Sequence, residues 1–212
     1  MTTKILVYNQ ALRLMGERRL TSVTEARDAR YHLDDAYSEG LGYCLEQGFW
    51  NFAMRAAQLD ASAVVEPSFG YEHAFTKPSD WVRTYALSSS ENLTPPLLNY
   101  NDEAGYWYSN VDPIFIKYVS NDSSYGADLA LWPETYALYV SCRLAVMTAP
   151  SICKASESKM DELLTREKRA RVDARSKDAM NEPPSFPPQG SWAQARGGGR
   201  SRLNGTSRGL PY

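Results

Sequence analysis

Near the start of the chain, apolar positions recur at helical spacing. In "TKILVYNQALRLMG", Ile5, Leu6, Asn9, Leu12 and Met15 fall along one stripe, and Gly16 stands where a left-handed residue ends a last turn. Ser22 and Glu25 then have the spacing of a capping box. A longer stripe follows, through Ala26, Ala29, Leu33, Ala36/Tyr37, Gly40/Leu41 and Cys44/Leu45, and predicts a second helix ending near Gly48. "FWNFAMRAAQL" reads as a third helical piece, anchored by Phe49, Trp50 and Phe52.

From Ser68 the period changes. "FGYEHAF", "WVRTYALS", "LLNYN", "AGYWYS" and "IFIKYVS" are short, aromatic and β-branched, and turn-forming segments separate them, so residues 68–119 predict a small antiparallel sheet. Helix returns at "WPETYALYVSCRLAVMTAP", with Pro133 suited to the first helical position and Pro150 marking the end. Its few polar positions predict a central, mostly buried helix. The next helix, about Ser156 to Asn181, has only a thin apolar line of Met160, Leu163, Leu164, Ala170 and Ala174. Glu162/Arg166, Glu167/Arg171 and Asp173/Lys177 are acid-before-base pairs four apart, the signature of a helix that is mostly wet or meets a partner.

These elements predict an α+β, predominantly helical fold: a helical bundle with an inserted small antiparallel β-rich region and an extended C-terminal tail. The divisions are 1–67 for the N-terminal helices, 68–127 for the insertion, 128–182 for the C-terminal helices and 183–212 for the tail. "EPPSFPP" favours a semi-rigid spacer, and the composition beyond Gln189 predicts disorder in the isolated chain.

Charge divides the chain at the same place. The net charge of −2 combines −6 over residues 1–182 with +4 beyond Pro183, where four arginines and no carboxylate occur. A Gly/Arg segment of this kind suits three roles: a solubilising terminus, a nonspecific binder of single-stranded nucleic acid, or a tail that folds on contact with a protein. Composition leaves the three open. The apolar content of 43% is enough to bury a core, and neither a signal peptide nor a membrane span stands out, so the chain reads as cytosolic at synthesis. Cys44, Cys142 and Cys153 lack metal-ligand spacing and read as buried free thiols.

Catalytic, cofactor and metal signatures are missing from the sequence. His32 and His73 have no nucleophile at a telling distance. Asp35 and Glu39 lie one helical turn apart, with Glu39 the least implausible acid of a cell-wall glycan hydrolase, but two carboxylates on one amphipathic face are nearly always solvated. "RGGGR" lacks the ending and the flanking elements of a phosphate loop.

Element order together with spaced residues carries a resemblance over about residues 5–180. The landmarks are Asn9, Leu12, Leu14 and Gly16; Leu45, Trp50, Phe52 and Ala53; Pro78, Asp80 and Arg83; Tyr118; and Trp132-Pro133. In these the chain resembles the head-to-tail adaptor proteins of tailed bacteriophages, the tail tubular protein A group of short-tailed phages. The resemblance implies a structural virion protein at the head–tail interface, present in the host cytoplasm during assembly. It implies a homo-oligomeric ring of about twelve subunits, placed between the portal protein and the downstream tail (nozzle or tail tube) protein. Double-stranded DNA would pass through the lumen without sequence recognition, and an acidic body suits that passage because it does not hold phosphates. A C-terminal segment reaching the portal is implied too; position and physics make Trp192, Arg196, Arg200, Arg202 and Tyr212 the candidates for docking there. The paired charges Glu162, Arg166, Glu167 and Arg171 are the candidates for contacts between subunits.

Overall fold

The computed structural model describes residues 2–67 and 69–181, and the fold is α+β. The C-terminal tail foreseen from sequence lies outside the described residues. Helix α1 (Lys4–Met15) starts at Thr3, whose hydroxyl accepts from the Leu6 N–H. It ends at Gly16, left-handed at φ 85°, with the Glu17 N–H reaching back 2.9 Å to the Leu12 carbonyl. Its buried face is Val7, Tyr8, Ala11, Leu12 and Met15, while Leu6 is exposed. Asn9 is therefore not part of an apolar stripe. Its carboxamide clamps the following loop, accepting from the Leu20 N–H at 2.7 Å and donating to the Leu20 carbonyl at 3.1 Å.

Helix α2 (Asp28–Glu46) begins later than the capping-box spacing suggests. Glu25 accepts from the Thr21 N–H and hydroxyl, closing a turn within the loop, and Ser22 bonds Thr24 instead of capping a helix. Ala26 is exposed, whereas Ala29, Leu33, Gly40, Leu41, Cys44 and Leu45 are buried.

The expected third helix is a single 3-10 turn, Asn51–Ala53, followed by strand β1 (Met54–Leu59). Antiparallel pairing with a later strand overrides the helix propensity of its alanines. The remaining strands are β2 (His73–Thr76), β3 (Trp81–Ser88), β4 (Asn101–Glu103), β5 (Tyr106–Ser109) and β6 (Ile114–Ser120). They form two antiparallel sheets, ordered β1-β6-β3 and β2-β5-β4. Of "LLNYN" only Asn101 enters a strand; Leu97 instead donates its N–H to the Leu87 carbonyl at 2.8 Å.

Period-2 alternation in β6 serves two cores at once. Ile114, Ile116 and Tyr118 join Phe75, Leu87 and Trp107 in a core shared by the two sheets, while Val119 on the other face joins the helical core.

Helix α3 (Glu134–Ile152) packs against α1, α2 and the last helix, with ten of its residues buried. Pro150 does not end it: the helix runs two residues further, closed by the Cys153 N–H on the Ala149 carbonyl at 3.1 Å. In the last turn a proline removes only one of the helix's donors. Helix α4 (Glu157–Ala179) starts at Ser156, whose hydroxyl accepts from the Lys159 N–H.

An aromatic cluster joins these parts. The Trp50 ring lies 4.7 Å from that of Tyr136 and its Nε1 donates to the Cys44 carbonyl; Trp132 lies 5.1 Å from Tyr136 and donates to the Gly126 carbonyl.

Candidate interaction surfaces

The spacing of α4 decides which of its charges face solvent. Its buried line is Leu163, Glu167, Ala170, Ala174 and Asp178, one residue every three or four, so two carboxylates lie on the face that packs inward. Glu167 is 6% exposed and meets Arg143 of α3 at 3.6 Å, and the Arg143 guanidinium lies 3.8 Å from the centre of the Tyr43 ring. The expected Glu167/Arg171 pair does not form. Arg171 donates to the Gln47 side chain at 3.1 Å, and Asp178 accepts from the Asn51 N–H at 3.0 Å. The "wet" helix is thus tied along one side to α2, α3 and the turn at Asn51.

Glu162 and Arg166 do form the exposed pair read from sequence, with Arg166 at 2.8 Å and Lys159 completing the triad at 3.1 Å. Hydrogen bonds from Lys159 and Arg166 hold the Glu162 carboxyl below its usual range. This half of the expected subunit contact is open to a neighbour, and the Glu167/Arg171 half is engaged within the chain. The tail candidates Trp192, Arg196, Arg200, Arg202 and Tyr212 lie outside the described residues. Asp35, Glu39 and His32 are exposed on α2, and His73 is half-buried beside Phe75.

The polar landmarks of the resemblance act as tethers. Besides the Asn9 clamp and the two tryptophans, Asp80 gathers the Arg55 guanidinium at 2.8 Å, the Tyr118 hydroxyl at 3.1 Å and the Ser120 hydroxyl. Burial pushes the Asp80 carboxyl up, and these donors outweigh it and lower it; for Tyr118, burial and the Asp80 charge raise the phenol to about 12. A second hub, outside the landmarks, is Asp34, which accepts from Lys4 at 2.8 Å, Arg30 at 2.7 Å and the Tyr8 hydroxyl at 2.7 Å. Burial opposes ionisation there as well, yet the three donors bring the Asp34 carboxyl down to about 2. The cysteines are free thiols; burial raises Cys44, and it raises Cys142 to about 11. Cys153 is half-buried, less enclosed than the sequence reading expected.

One surface was missed. Phe49 and Tyr85 are both exposed and pack edge to face at 5.2 Å, with Arg83 stacked 4.2 Å over Phe49 and Lys117 5.1 Å over Tyr85. Arg83 also donates to the Glu46 carbonyl, and neither cation has a carboxylate within ion-pair distance among the described residues. Aromatic rings and arginine are the residue types that concentrate energy at protein interfaces. The signal was the alternation Trp81, Arg83, Tyr85; its partner Phe49 comes from the distant loop after α2, which no local pattern reveals.

Among the described residues, no group of three His, Cys, Asp or Glu is placed to hold a metal ion, and no helix is long and apolar enough to cross a membrane. No family model matches the chain, and no curated protein matches it.

Proposed function

We propose that this chain is a structural head-to-tail adaptor of a tailed bacteriophage, working by binding and assembly without turnover. One observation supports the reading: the polar residues in which the sequence resembles that family, Asn9, Trp50, Asp80, Arg83, Tyr118 and Trp132, are tethers between elements. Asn9 fixes the loop after α1, Trp50 and Trp132 lock the aromatic base of α3, Asp80 and Tyr118 pin β3 to β6, and Arg83 ties β3 to the end of α2. The α+β architecture of a helical bundle with two small antiparallel sheets supports it further.

On this reading a ring of about twelve subunits stacks between portal protein and nozzle or tail tube, at the head–tail interface of the virion, and extends the DNA channel. The exposed Lys159–Glu162–Arg166 triad contributes to contacts between subunits. The segment after Pro183 reaches the portal, with Trp192, Arg196, Arg200, Arg202 and Tyr212 as its anchors. Electron microscopy of the full chain mixed with its portal tests the proposal. A coaxial ring on the portal is the expected result; lack of any portal complex, or turnover of a glycan by the purified chain, overturns it. Truncation after Pro188 is expected to abolish portal binding, and unchanged portal binding by the truncated chain refutes the anchoring role of the tail.

A further inference from the structure

The small sheet bears a site of opposite character to the Phe49 surface. Strand alternation puts Asn101 and Glu103 on one face of β4 and Asp102 on the other, where Asp102 pairs with Lys77 and accepts from the Trp107 Nε1. Asn101 pairs with Tyr108 of β5, and its amide holds the Glu103 carboxylate at 2.5 Å. The backbone of Ala104 and Gly105, both at positive φ, closes this hairpin tightly. Facing the hairpin are Glu66, Pro67 and Phe69 to Tyr71, and between them lies a cavity of about 220 Å³ lined by Glu66, Phe69, Tyr71, Asn101, Glu103 and Tyr108, among others.

Three properties of this cavity specify its ligand. Three aromatic rings and two carboxylates form a set suited to a cation, which a ring face and a carboxylate both attract. Asp102 is neutralised by Lys77, yet Glu66 and Glu103 have no cation within ion-pair distance among the described residues. The surroundings reinforce this, since residues 60–112 carry eight carboxylates and only two cations. Those two cations, Lys77 and Arg83, are already engaged, over Trp81 and over Phe49. The third property is size: the volume is below the roughly 300 Å³ at which small-molecule pockets begin and suits a single long side chain. Phe69, 90% exposed at the rim, is an apolar ring left for such a side chain to cover.

We infer that the cavity bounded by Glu66, Phe69 and Tyr71 on one side and the β4–β5 hairpin on the other is a binding site for an arginine side chain presented by a partner protein. Arginine is preferred over lysine because its planar guanidinium stacks on a ring face while its fork meets a carboxylate. The inference goes beyond the adaptor reading and does not depend on it.

Fluorescence anisotropy of a labelled Gly-Gly-Arg-Gly-Gly peptide, titrated with the full chain at low salt, tests the site. Saturable binding is expected, several-fold tighter than for the lysine peptide and absent for the isosteric, uncharged citrulline peptide. The double variant Glu66→Gln/Glu103→Gln weakens binding at least about tenfold. Phe69→Ala weakens it less, and both variants keep the wild-type circular dichroism spectrum because all three side chains are exposed. Equal binding of the arginine and citrulline peptides, wild-type affinity in the double variant, or no saturation by about 10 mM overturns the inference.

Discussion

Truncating two glutamates five residues apart on α4 is expected to give opposite results. Glu167 is buried against Arg143 at 3.6 Å; at an effective dielectric of about 20 their attraction is about 4–5 kcal/mol, from which desolvation of both groups must be subtracted. In Glu167→Ala the guanidinium loses its carboxylate, and its Nε has no hydrogen-bond partner among the described residues. The Arg143 side chain is 21% exposed and rests on Tyr43, so it recovers part of its hydration, which brings the expected loss to about 2–3 kcal/mol. At a urea m-value of about 2 kcal/mol/M this moves the unfolding midpoint down by about 1 M. Glu162 holds Lys159 and Arg166 on the exposed face, and Glu162→Ala is expected to leave the midpoint unchanged while slowing or abolishing ring assembly on the portal. Urea titration followed by circular dichroism reads the first effect, and sedimentation of the mixture with the portal reads the second. A wild-type midpoint in Glu167→Ala refutes the buried-pair argument, and wild-type assembly in Glu162→Ala removes α4 from the subunit interface.

Three further changes probe the tethers. Asp34→Asn is expected to cost about 1–2 kcal/mol at neutral pH: the carboxyl is depressed from 3.8 to about 2 and its side chain is partly exposed, so the deficit is full above pH 5 and shrinks as pH falls toward 2. Urea midpoints of both proteins across that range check it, and a pH-independent difference refutes it. Gly126→Ala brings a Cβ within 2.2 Å of the Ser120 carbonyl oxygen and is expected to cost about 3 kcal/mol, readable as a large drop in melting temperature. Tyr136→Phe removes a buried hydroxyl that has no hydrogen-bond partner among the described residues, and a melting temperature equal to or above wild type is expected; a clear loss refutes the assignment.

Helices with a wide apolar face were legible in the sequence, because burial repeats every three to four residues whatever the partner is. α2, α3 and the Gly16 stop follow from that rule. The rule failed where a distant partner decides. Met54–Leu59 has the alanines of a helix but pairs with β6, whose residues lie some sixty positions later, and that pairing is invisible to a local pattern. On α4 the four-residue spacing of Glu167 and Arg171 is real, yet the helix turns Glu167 toward Arg143, and a buried carboxylate finds the nearest cation whichever element carries it. Of the candidate pairs on α4 among the described residues, Glu162/Arg166 lies in space as sequence spacing had suggested and Glu167/Arg171 does not. The Phe49 surface and the cavity beside Glu103 join segments from different elements, so neither has a linear signature.

Where the resemblance lies in the structure determines what it can say. Asn9, Trp50, Asp80, Tyr118 and Trp132 spend their polar atoms on other parts of the same chain. Such residues specify how a bundle and a sheet are joined, and any chain built on the same joint needs groups able to do the same work. Partner choice depends on side chains left facing solvent, here Phe49 with Arg83 and Tyr85 with Lys117 on one face, and Glu66, Phe69 and Glu103 on another. One face offers cations backed by rings and the other carboxylates backed by rings, so they select partners of opposite charge. On the proposed readings, architecture and partner recognition fall to largely separate residue sets, with Arg83 common to both through its bond to the Glu46 carbonyl and its stacking on Phe49. Changes confined to the second set are expected to alter binding while the melting temperature stays constant.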